Sequence, residues 1–166
     1  MTGPVRPPAV AGSFYPGSPA ELRRLVGTLL AAAARLPRAS SGEAGALGLP
    51  MGLLVPHAGL VYSGIPAAAA WACLRPDPGG LRDSGGAADT GEPLVVVLLG
   101  TNHRAAWLDG VGAWDAGAWT VPTGEAEVAG ELAAEVAVLG PPFMIDREAH
   151  RGEHSLEVQL PLLMAV

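Results

Sequence analysis

At 166 residues, 49% of them hydrophobic, the chain has enough apolar material to bury a core of single-domain size. Its formal net charge of -6 and the absence of any basic run remove the cation cluster that binding a nucleic-acid backbone draws on. No leader-like start and no apolar stretch of the roughly 18 to 20 residues that cross a bilayer is present, and the single cysteine, Cys73, has no internal disulfide partner. The expectation is a cytoplasmic protein with no nucleic-acid or membrane partner and with Cys73 as a buried thiol on an alanine-rich segment.

Ser18-Pro19-Ala20-Glu21 combines a capping hydroxyl, a proline at the first helical position and a carboxylate three residues after the cap, so a helix is predicted to begin there. Leu22, Leu25, Val26, Leu29 and Leu30 follow at helical spacing and form its apolar stripe, with Pro37 near its end. Residues 39–50 and 76–93 are rich in small and turn-forming residues and read as exposed loops. Between them lie two apolar runs of strand length, 51–55 and 94–99; the second is apolar at every position, as in a parallel strand covered on both faces. Residues 65–74, 128–139 and 154–164 read as helices, with Leu132, Val136 and Leu139 inward on the second and Pro161 kinking or shortening the third. Residues 111–114 and 118–121 suggest an antiparallel excursion near Pro122-Thr123-Gly124. Alternating strands and helices predict an α/β fold: a mainly parallel central sheet flanked by helices on both faces, in one domain over residues 1–166.

The four histidines are placed informatively. His57, in Pro56-His57-Ala58-Gly59, and His103, in Gly100-Thr101-Asn102-His103, each follow an expected strand, and open α/β sheets bind ligands beside the carboxyl ends of their strands. Neutral imidazole is a common ligand of iron, copper and zinc, and Gly59 and Gly100 would let backbone approach a bound group. The plainer alternative is two loop-tip histidines in water. Tyr62, Ser63 and Asn102 share these loops and are candidate pocket residues. His150 and His154 lie in Glu148-Ala149-His150-Arg151-Gly152-Glu153-His154-Ser155-Leu156-Glu157. A helix starting near Glu153 would place Glu153 and Glu157 on one face. Glu153 and His154 are then candidate catalytic acid–base groups, or partners that orient ligating histidines; helix capping with exposed charge is the alternative. Trp107, Trp114 and Trp119 read as core more readily than as pocket. Phosphate-loop, dinucleotide-fold, serine-elbow and paired-cysteine signatures are absent.

Four segments taken together resemble the MEMO family, whose bacterial members are called AmmeMemoRadiSam system protein B. They are Arg6-Pro7-Pro8-Ala9-Val10-Ala11-Gly12-Ser13-Phe14-Tyr15-Pro16, Pro56-His57-Ala58-Gly59-Leu60-Val61-Tyr62-Ser63-Gly64, Leu99-Gly100-Thr101-Asn102-His103 and Glu153-His154-Ser155-Leu156-Glu157-Val158-Gln159-Leu160-Pro161. The resemblance implies a fold similar to the type III extradiol (LigB-like) dioxygenases, with His57 and His103 as metal ligands and Fe(II) or copper, rather than zinc, as the metal. It also implies partnership with a radical-SAM protein and an AMMECR1-like protein. The family's remaining ligand, a cysteine, or a carboxylate in the dioxygenases, belongs to a later half, so this chain is expected to be the N-terminal portion of such a domain, its C-terminal part missing. Cys73 matches no family motif. Leu60, Thr101, Val121 to Gly124 and Leu162 depart from the usual pattern and bear on pocket shape. The functions in view are a metal-binding, dioxygenase-like oxidoreductase, a non-catalytic adaptor, a zinc hydrolase using the same histidines, or a fragment without function and of poor solubility, its apolar face uncovered.

Overall fold

A computed structural model of the chain describes residues 3–37, 50–74 and 94–166. Apart from Pro50, the two loops expected from composition lie outside the described residues. Helix α1 spans Pro19–Ala33 and starts as its sequence dictates: Ser18 Oγ accepts from the Glu21 amide at 3.5 Å, and Pro19, with no amide hydrogen, occupies the first turn. Leu22, Val26, Leu29 and Ala33 form its buried face. Helix α2, Leu60–Trp71, begins five residues earlier than the sequence suggests, directly after Gly59, and is extended by a 3-10 turn over Ala72–Leu74 that carries Cys73 half-buried. Its buried positions Leu60, Gly64, Ala67, Ala68 and Trp71 keep helical spacing. Gly64 lets α1 come close, because a β-carbon there would lie 2.6 Å from Leu29 Cδ1. Full burial of Leu22, Leu60 and Leu162 contributes about 2 kcal/mol each.

The strands are short and mixed. β1 (Val5–Arg6) pairs in parallel with β3 (Ala118–Val121), which pairs antiparallel with β4 (Gly124–Glu127). β2 (Val111–Ala113) pairs in parallel with β5 (Phe143–Ile145). The hairpin at Pro122-Thr123 therefore joins β3 to β4. The segment at 111–113, expected to pair with 118–121, instead pairs with 143–145, 32 residues further along. Helix α3, Gly130–Val138, is shorter than expected, and Leu139, expected inward, is 69% exposed. A four-residue helix α4, Arg147–His150, precedes the last segment. The helix expected over 154–164 is a 3-10 turn at Glu157–Gln159 followed by α5, Leu160–Leu163, with Pro161 confined to its first turn, where a missing amide costs least. No helix among the described residues is long and apolar enough to cross a membrane.

The class is mixed α/β, but among the described residues the two apolar runs expected to form a central parallel sheet belong to no hydrogen-bonded ladder. Each is extended chain with alternating faces. Leu53, Val55, Val96 and Leu98 pack against the core, while Met51, Leu54, Val97 and Leu99 face outward and are exposed. Unbroken apolarity signals cover on two faces; the described residues cover one.

The core is closed at its far end by one buried polar junction. Glu157, fully buried, accepts from Arg6 Nη1 (2.6 Å), Tyr15 Oη (2.6 Å) and the amides of Ala9 (2.8 Å) and Val10 (2.9 Å). Arg6, 1% exposed, also donates to the carbonyls of His150 and Glu153, and its guanidinium lies 4.1 Å over the Trp119 ring. Burial, reinforced by the hydrogen bond to Glu157, pushes the Tyr15 hydroxyl far above its ordinary pKa, so it stays a donor. This junction ties the N-terminal segment to the one that carries His154.

Candidate metal centre

His57 sits at the end of the first extended segment, and the turn after it is fixed by neighbours on both sides. The Leu60 amide donates to Phe14 O at 2.8 Å, and the Ser63 hydroxyl donates to Ala58 O at 3.0 Å. A β-carbon on Gly59 would stand 3.2 Å from that same Phe14 oxygen. His103 follows the second extended segment, in a turn built by Asn102: its Oδ1 accepts from the amides of Arg104 and Ala105, and its Nδ2 donates to Ala105 O. Gly100 brings this segment against the next one, since a β-carbon there would be 2.5 Å from Ser155 Oγ and 2.6 Å from Leu156 Cδ2. The two glycines thus allow protein to approach protein, a role composition alone does not distinguish from approach to a ligand.

Three of the four histidines converge. Ring centroids are 5.3 Å apart for His57 and His103, 5.8 Å for His57 and His154, and 4.5 Å for His103 and His154, the last pair stacked. One nitrogen from each falls within 4.8 Å of the others. His154, read from the sequence as an acid–base group, a partner orienting ligating histidines or part of a helix cap, joins the pair by position in space. The Phe14 ring lies 4.6 Å from His154 and covers its flank. His150 does not join them: its Nε2 is 3.0 Å from Gly112 O, and its ring sits edge-on to Trp114 and Trp119. Burial lowers its pKa.

Glu153 is not on a helix; it precedes the 3-10 turn with its side chain inside, 5% exposed, which overturns the reading of exposed helix-cap charge. Its Oε1 lies 2.9 Å from His103 Nδ1 and accepts from the amides of His154 (2.8 Å) and Ser155 (2.9 Å); Oε2 accepts from the His103 amide at 2.7 Å. Burial opposes its charge, but the His103 ring and these backbone donors outweigh burial and hold the carboxyl down to about 2. Burial, only partly offset by Glu153, lowers the pKa of His154, and the neighbouring His103 and His57 lower it further. Of the remaining candidates, Ser63 is buried with its hydroxyl engaged, Tyr62 is 86% exposed, Asn102 is used by its own turn, and Cys73 Sγ lies 3.5 Å from Ala69 O. Trp119 is buried as expected, whereas Trp107 is 61% exposed with its indole donating to Asp146. An open groove of about 780 Å³ runs from Met51 and Leu94 to His57 and Ser155 between the two extended segments.

Fold and site together define a mixed α/β domain with an imidazole cluster braced by one buried carboxylate. A family described as Memo-like protein matches residues 6–166, and the chain belongs to that family. It is 37% identical to a MEMO1 family protein of Metallosphaera sedula over 95% of this chain and 51% of that protein. It is 39% identical to a MEMO1 family protein of Aeropyrum pernix (96% and 52%) and 37% identical to one of Thermotoga maritima (97% and 53%). The chain spans about half the length of the curated relatives it matches.

Proposed function

We propose that this Memo-family chain carries part of a metal centre of the non-haem, LigB-dioxygenase-like kind, with His57 and His103 as ligands of Fe(II) or copper. The observation that carries this reading is the convergence of three imidazoles from three separate segments, with one nitrogen from each within 4.8 Å of the others. The donor set fits: neutral imidazole suits iron, copper and zinc, and the carboxylate at His103 Nδ1 supplies the outer partner that ligating histidines ordinarily have. A bound iron or copper ion would supply Lewis-acid and redox chemistry suited to an oxygenase-type reaction. His57 and His103 would hold it. His154, whose pKa burial lowers, stands beside them, able to add a third donor. Phe14 shields that ring from water on one side.

Titration of the metal-stripped chain with Fe(II), without oxygen, and with Cu(II) tests the reading. His57→Ala is expected to bind at least about tenfold more weakly than wild type; equal affinity would refute the centre. The outward apolar rows at 51–55 and 94–99 favour a second reading, an adaptor that binds the radical-SAM and AMMECR1-like partners the family resemblance implies. Recovery of those two proteins by metal-stripped chain in a pull-down would support it.

A further inference from the structure

We infer that Glu153 is a positioning residue, not an acid or base: it fixes His103 as the tautomer protonated on Nδ1 and so leaves Nε2 as the nitrogen that ring offers to the cluster. The inference rests on the metal-centre reading for its consequence, but not for its geometry.

Three observations carry it. Glu153 is 5% exposed, and four N–H groups converge on its two oxygens: the His103 ring and amide and the amides of His154 and Ser155. A carboxylate so occupied has little capacity left to take a substrate proton. It is acceptor-only while ionised, so the nitrogen 2.9 Å from it must carry the hydrogen. Free neutral imidazole prefers the opposite tautomer, protonated on Nε2, so the carboxylate reverses an intrinsic preference. The same Oε1 lies 3.4 Å from His154 Nδ1, which places both stacked rings under one group. Backbone bonds on either side, to the His103 amide and to the amides of His154 and Ser155, keep the carboxylate from turning away.

The tautomer is read by long-range proton–nitrogen NMR on metal-free chain with labelled histidine, well above the ordinary imidazole pKa of about 6.5. His103→Gln assigns the signal. Wild type is expected to show His103 protonated on Nδ1, and Glu153→Ala, which removes the acceptor at that nitrogen, to shift it toward the Nε2 form. A wild-type ring protonated on Nε2 overturns the inference without help from any variant, so it stays testable if Glu153→Ala fails to fold. An unchanged tautomer in a folded Glu153→Ala also overturns it. Fe(II) titration then separates the two ideas. A 10- to 100-fold loss in Glu153→Ala supports positioning, and equal binding refutes it. Failure of wild type to bind Fe(II) defeats the metal-centre reading and leaves the tautomer result standing.

Discussion

Replacing Glu157 with alanine removes the carboxylate on which Arg6, Tyr15, Ala9 and Val10 converge. The Arg6 guanidinium, 1% exposed, then keeps its charge in the interior without a counter-charge, and the Tyr15 hydroxyl and two amides lose their acceptor. Breaking a buried ion pair from one side costs about 3 to 5 kcal/mol, whereas a domain of this size has about 5 to 15 kcal/mol in total. Glu157→Ala is therefore expected to lose about 4 kcal/mol in urea unfolding followed by tryptophan fluorescence. Arg6→Met alone should also be costly, because it strips Glu157 of its cation and the carbonyls of His150 and Glu153 of their donor. The double variant should then lose less than the sum of the singles, with a coupling of about 2 kcal/mol or more. A Glu157→Ala midpoint within about 1 kcal/mol of wild type, or additive singles, would show that the junction is decoration and not a tie.

Gly100→Ala places a methyl group against Ser155 Oγ and Leu156 Cδ2, and should cost about 1 to 3 kcal/mol in the same unfolding assay; an unaffected midpoint would mean that the two segments part freely. Acid should destabilise the chain in two stages. His150, whose folded pKa burial lowers, contributes stability that is present above the ordinary imidazole pKa of about 6.5 and is lost as pH falls below it. Glu153, held at about 2 against an ordinary 4.5, contributes about 3 kcal/mol above 4.5 that is lost as pH falls from 4.5 toward 2. Unfolding free energy measured against pH checks both, and the lower stage should vanish in Glu153→Gln. The exposed Leu54 and Val97 should make the chain bind a hydrophobic dye and self-associate in sedimentation; Leu54→Glu with Val97→Glu should reduce both.

What could be read from the chain beforehand was local. Ser18, Pro19 and Glu21 announce α1 because a cap, a first-turn proline and the following stripe act within a few residues of one another. Pro161 likewise shortens the last helix by chemistry that belongs to its own peptide unit. Partner choice was not legible. The turn at Pro122-Thr123 is visible, but which flanking run it joins depends on pairing energy with β5 and β1, which lie far away in the chain. The run at 94–99 is apolar enough for two covered faces, yet composition cannot say whether the second cover is present. The glutamates show the same limit. Glu153 and Glu157 look like one helical face, but each is buried against a residue 50 to about 150 positions away, His103 in one case and Arg6 in the other. Family resemblance marked His57 and His103 as ligands and the sequence offered His154 as a nearby acid–base or orienting group; its place between Phe14 and His103 is set by the folded chain.

His57, His103 and His154 stand roughly fifty residues apart along the chain, so no local stretch holds two of them together before the fold closes. Whatever the cluster binds must therefore bind the folded state alone, and mass action converts occupancy into global stability, about 2.7 kcal/mol at a ligand concentration one hundred times its Kd. In a chain with so much apolar surface facing outward, a ligand held by all three rings would act as a clasp on three distant segments at once, and its removal would be felt as a loss of stability across the whole fold.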